Sequence, residues 1–181
     1  MQARQPFVLV ACALLTLAAC EGAPEPAADP APPAPAGELD GVTFDTASAR
    51  VLTDTDTLPI TVELAATEAQ RAYGLMDRES LPEDHGMLFT YGAEQPGSAG
   101  FWMYRTLIPL DIAFLDGDGR IVAVLQMDPC RSADPAQCRV ATYAPGVPYR
   151  SALEMARGWF AVRGVGVGDQ VVAPGVSGTG S

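Results

Sequence analysis

The chain has 181 residues and a formal net charge of −11, and all eleven of its cations are arginine. The lack of lysine excludes Schiff-base chemistry, a P-loop lysine and a Ser-Lys nucleophile pair. The acidic balance argues against nucleic acid as a partner, and a single histidine, His85, excludes multi-histidine zinc sites.

Residues 1–19 open with Arg4, continue through an apolar run over 7–16 and end in Leu17-Ala18-Ala19. A charged start, a short apolar middle and small residues at the end predict an export signal, too short to span a bilayer permanently. Cys20 follows directly, and Leu-Ala-Ala-Cys resembles the bacterial lipoprotein box, in which the cysteine is lipidated. This predicts a protein anchored to a bacterial membrane through Cys20 and facing the periplasm. The other reading is ordinary secretion with Cys20 a bystander. Up to residue 37 the chain is alanine, proline and acid, with six prolines, and reads as an extended tether. Its reach is on the order of 50 Å at polyproline rise. A single domain is expected over residues 38–173, followed by a flexible tail over 174–181.

Within that domain, the alternation of Ile60-Thr61-Val62-Glu63-Leu64-Ala65 predicts a half-buried strand. Thr67-Glu68-Ala69-Gln70 matches a capping box, so a short helix should run through Tyr73 and stop at Gly74. Residues 86–91 read as a strand. Residues 100–115 and 120–127 are apolar runs joined by Asp116-Gly117-Asp118-Gly119, which predicts a β-hairpin. A strand over 149–155, a helical turn over 158–163 and a last strand at Val171 and Val172 complete the reading. Cys130 and Cys138, once Cys12 leaves with the signal, are expected to form a disulfide; Cys-x7-Cys is not the redox Cys-x-x-Cys spacing. The fold class is therefore β-rich α+β, a compact curled sheet or small β-barrel with one or two short helices. No ten-residue amphipathic helix separates the strands, so parallel βαβ layering is not expected.

Several segments together resemble a known family. They are residues 71–78 (Arg-Ala-Tyr-Gly-Leu-Met-Asp-Arg), Leu81-Pro82, Gly86-Met87-Leu88-Phe89, Phe101-Trp102-Met103, residues 106–112 (Thr-Leu-Ile-Pro-Leu-Asp-Ile), Ala152-Leu153-Glu154, Gly158 and Gly168-Asp169. In this order they resemble the domain of unknown function 192 family over about residues 58–172. The resemblance implies a compact β-rich fold and a protein often exported or lipid-anchored, and brings no established activity. The family commonly has a basic residue and an asparagine between Trp-Met and Thr, where this chain has Tyr104-Arg105.

The candidate site residues are Arg71, Arg78, Trp102, Arg105, Thr106 and Asp111. Gathered by the strands, they would form a pocket with guanidinium groups for a carboxylate or phosphate and a stacking face for a sugar. This favours a binding or accessory module for a small anionic or glycan-like ligand or an envelope protein. The bland alternative is Asp111 in a structural ion pair and Trp102 in the core. The enzymatic alternative is a small hydrolase using Asp111 and an arginine, or an acid pair of Asp111 with Glu154 or Glu63. No cofactor is expected. The methionines are spaced singly and read as core, not as a copper site. Asp116-Gly117-Asp118-Gly119 lacks the spacing of a calcium loop, and the glycines of 164–168 miss the dinucleotide fingerprint.

Overall fold

The structure, a computed structural model, describes residues 41–176. The signal segment, Cys20 and the tether lie outside the described residues, as does the tail beyond Val176. The elements in chain order are β1 (Asp45–Leu52), β2 (Thr57–Ala65), α1 (Glu68–Tyr73), β3 (His85–Gln95), β4 (Phe101–Trp102), β5 (Leu110–Leu115) and β6 (Ile121–Met127). They continue with α2 (Pro135–Val140), β7 (Thr142–Tyr143), β8 (Tyr149–Ala156), α3 (Trp159–Val162) and β9 (Gln170–Val172). Seven strands form one curled sheet in the order β6-β5-β8-β3-β2-β1-β9, and β4 pairs with β7 in a separate two-stranded sheet. The fold is thus β-rich α+β, with three short helices where one or two were expected.

Local chemistry explains most of these elements. The capping box forms: Thr67 Oγ1 accepts the Gln70 N–H at 3.2 Å, and Gln70 Oε1 accepts the Thr67 N–H at 3.0 Å. Gly74 then ends α1 at a φ of +53°, where a side chain would be strained. The β5–β6 hairpin forms as expected, its turn held by Asp116 Oδ1, which accepts the N–H groups of Asp118 and Arg120. Its first strand starts only at Leu110, because Pro109 breaks the run. Phe101 and Trp102 belong to the small sheet instead. β2 and β3 pair in parallel through the crossover of residues 66–84, which corrects the expectation of no parallel connection. A crossover needs only a dozen or so residues, and α1 fills it without being long.

The sheet curls far enough for its edges to meet at one point. Arg120 bridges Gln170, the Ile121 N–H donates to Asp169 O at 2.8 Å, and the Val171 N–H donates to Gly119 O at 2.8 Å. Period-two alternation then sends side chains to two faces. The concave core holds Val62, Leu88, Ala113, Leu115, Leu153 and Met155, with Trp159 and Phe160 of α3 at one end. The opposite face carries Met87, Phe89, Leu110, Ile112, Phe114 and Ala152. It is covered by Leu75, Met103 and Phe101 from the connecting segments.

Gly86 marks how tightly the sheet is packed on its concave side. A Cβ there would overlap the Glu154 carbonyl oxygen and Met155 Sδ. Gly86→Ala is expected to cost about 2–3 kcal/mol through overpacking. Circular dichroism should record a melting point lower by roughly 5–10 °C.

Candidate functional site

The candidate residues divide between the two faces of the sheet. Asp111, the second residue of β5, shares the concave face with Ala113 and Leu115 and is 2 % exposed. Its Oδ2 accepts the Gly158 N–H at 2.8 Å, and its Oδ1 lies 3.2 Å from Arg157 Nε, in ion-pair range but not aligned for a hydrogen bond. Arg157 also reaches Asp128 Oδ1 at 3.0 Å. Burial raises the Asp111 pKa above the ordinary carboxylate value, with the Gly158 N–H and Arg157 opposing. The carboxylate therefore anchors the turn between β8 and α3, where Gly158 takes a φ of +85°. Asp111 is paired to Arg157, and the fold does not bring it together with Arg71, Arg78 or Arg105.

Those three arginines serve the opposite face. Arg71, in the last turn of α1, donates to the carbonyls of Ala66 and Thr90 and lies 4.9 Å above the Tyr91 ring. Arg78 pairs with Glu63 at 2.7 Å. Arg105 grips Asp77 with both Nε and Nη2, and the Asp77 N–H donates to Arg105 O at 2.9 Å. Arg105 and Asp77 hold φ values of +57° and +59°. Non-glycine residues pay for that conformation, and the doubled contact between the two loops maintains it. Thr106 is buried beside this junction in sequence, and Trp102 is half-buried on β4. Two loops, residues 74–78 and 103–106, thus meet over the convex face.

Below them the register lines up one row of side chains across four strands. Glu63 pairs with Met87, Met87 with Glu154, and Glu154 with Ile112. Glu154 is 4 % exposed and has no hydrogen-bond partner among the described residues. Burial alone pushes its carboxyl up to about 8, so it is mostly neutral at pH 7. Asp111 Oδ1 is the one fully sealed, unpartnered side-chain oxygen among the described residues. The Glu154 carboxyl likewise has no hydrogen-bond partner among the described residues. Tyr91 and Tyr149 pack edge-to-face farther along this face, and the Tyr149 hydroxyl donates to Ala99 O at 3.2 Å. Burial raises both phenol pKa values.

Glu154 and Asp111 lie on opposite faces of the sheet, so they are not an acid pair. Glu63 and Glu154 do share a face, with Met87 between them. What sequence reasoning underrated was Glu154 itself. The available signal was an acid inside the continuous apolar run of β8, a strand buried on both sides. Asp84 was missed altogether: it accepts the Trp159 indole N–H at 2.8 Å and pairs with Arg163 at 2.7 Å, tying α3 to the start of β3. The disulfide between Cys130 and Cys138 is present, with Cα atoms 5.6 Å apart. Among the described residues no three His, Cys, Asp or Glu side chains gather as a metal site.

Comparison with known proteins adds family but no activity. The profile of domain of unknown function 192, described as an uncharacterised ACR, matches residues 50–173. No curated protein matches. A crystal structure from Sinorhizobium meliloti 1021, provisionally described as a transcription regulator, is 33 % identical, covering 74 % of this chain and 98 % of its own, with a TM-score of 0.65. A protein of unknown function from Novosphingobium aromaticivorans DSM 12444 is 27 % identical, covering 74 % of this chain and 94 % of its own, with a TM-score of 0.61.

Proposed function

The chain belongs to the domain of unknown function 192 family, and on that footing we propose that it is a binding module for a small, uncharged, glycan-like ligand seated over Glu154. The observation that carries this reading is the Glu154 carboxyl: buried, and without a hydrogen-bond partner among the described residues, on the face over which two loops meet. A buried polar group without a partner costs free energy that a ligand hydroxyl can recover. The charge count decides between ligand classes. Arg78 is neutralised by Glu63 and Arg105 by Asp77, and Arg71 is turned onto the Ala66 and Thr90 carbonyls and the Tyr91 ring, so the two loops of the junction present no uncompensated guanidinium to an anion. Glu154, neutral at pH 7, can both donate and accept.

The hydrolase alternative has little support, since Asp111 is engaged by Gly158 and Arg157. The regulator description of the Sinorhizobium relative is not carried over, because a chain of net charge −11 without lysine lacks the footprint for DNA. An envelope protein remains a partner of the same module. The proposal places the domain outside the cytoplasmic membrane, held by lipid on Cys20 and spaced by the tether.

A thermal-shift series tests the ligand class. Neutral mono- and disaccharides should raise the melting point of the wild type, with sugar phosphates and dicarboxylates inactive. Saturation a hundredfold above Kd stabilises by about 2.7 kcal/mol. Glu154→Gln should weaken the shift. A response to anions alone, or an undiminished shift in Glu154→Gln, would overturn the reading.

A further inference from the structure

We propose that the Cys130–Cys138 disulfide is a redox latch on the cover over the Glu154 face, opened by a dithiol reductant. The inference concerns regulation of the site proposed above and rests on that reading for its consequence.

The cover is built from two excursions off the main sheet: residues 96–109, between β3 and β5, and residues 128–148, between β6 and β8. They meet at the small sheet, where Phe101 pairs with Tyr143 and Trp102 with Thr142. The Gly146 N–H donates to Gly97 O at 2.9 Å, and Arg139 lies 4.3 Å over the Tyr104 ring. Inward, Phe101 and Met103 join the same packed cluster as Met87 and Ile112, the cross-strand neighbours of Glu154. Loosening residues 99–104 would therefore open the packing around the neighbours of Glu154.

Beyond the small sheet, the second excursion is held by the disulfide. Its helix α2 is only six residues long, and its one buried side chain is Cys138. A helix of that length does not hold by itself in water. The disulfide fastens it to Cys130, three residues beyond the end of β6. The ladders joining β2, β3, β8 and β5 involve neither cysteine, so the sheet stands without the bond.

Cys130 is half-buried and Cys138 only 5 % exposed, so Cys130 is the more exposed partner and the one the reductant meets first. A thiolate of the dithiol attacks Cys130 Sγ, and Cys138 leaves as thiolate and takes a proton. The second thiol then attacks the mixed disulfide and releases Cys130. The reductant is oxidised to its disulfide as the protein gains two electrons and two protons.

The test is amide hydrogen exchange on the full chain carrying Cys12→Ser and Cys20→Ser, with and without dithiothreitol. Reduction should speed exchange at least tenfold over residues 99–104 and 135–144 and leave β3, β5 and β8 unchanged. The further double variant Cys130→Ser/Cys138→Ser should exchange like the reduced protein and ignore the reductant. Carbodiimide labelling of Glu154 should rise at least fivefold on reduction. Unchanged exchange, an increase spread through the whole sheet, or unchanged Glu154 labelling would overturn the latch. Because none of these readouts uses a sugar, failure of the ligand assignment would be seen separately, in the thermal-shift series.

Discussion

Glu154→Gln raises the stability of the domain at pH 8 and flattens its dependence on pH. In the folded state the carboxyl holds its proton up to about pH 8, whereas in the unfolded chain it titrates near 4.5. Between those values the folded state binds more protons, so raising the pH favours unfolding, and the loss is complete above pH 8. With 4 % exposure and no partner among the described residues, the shift corresponds to ~5 kcal/mol as an order of magnitude. Asp111, also raised by burial, contributes in the same direction. Urea titrations at pH 5 and pH 8 measure it. The wild type should be clearly more stable at pH 5, and Glu154→Gln should be much less sensitive. Equal wild-type stability at both pH values would mean that Glu154 ionises freely.

Asp111→Ala should be among the most damaging single changes, and for a reason unrelated to binding. It removes the acceptor of the Gly158 N–H and leaves Arg157 with only the exposed Asp128. Breaking a buried pair in this way costs about 3–5 kcal/mol, and the lower figure suits a guanidinium still partly in water. Asp111→Asn keeps an oxygen for Gly158 and should lose roughly half as much. Denaturant melts would give the two losses. A variant of wild-type stability would remove Asp111 from the architecture and return it to candidacy as a site.

The two carboxyls also show where sequence reading succeeds and where it stops. The capping box at Thr67, the Asp116 turn, the alternating strand β2 and the apolar runs of β5 and β8 are local, and local chemistry was enough to place them. The ordered motifs likewise sufficed for the family. β1 escaped because Asp45-Thr46-Ala47-Ser48 is small and polar, and only Ala49 and Val51 bury along that strand. α2 escaped because its helix rests on a disulfide and an Asp134 cap, not on a periodic apolar face.

The site was legible as a set of residues but not as a partition. Asp111 and Glu154 differ by a single step in register, since Asp111 pairs with Met155 and Ile112 with Glu154. That one step puts them on opposite faces of the sheet. Arg78 and Arg105 looked like free forks for an anion until long-range packing supplied Glu63 and Asp77, which no spacing along the chain announces.

The most direct measurement on the central claim is the titration of the Glu154 side-chain carboxyl by carbon NMR, assigned with Glu154→Gln. The account requires a midpoint near 8, displaced when a neutral sugar binds. A midpoint near 4.5, unmoved by sugar, would mean an ordinary solvated carboxylate and would remove the floor of the proposed site.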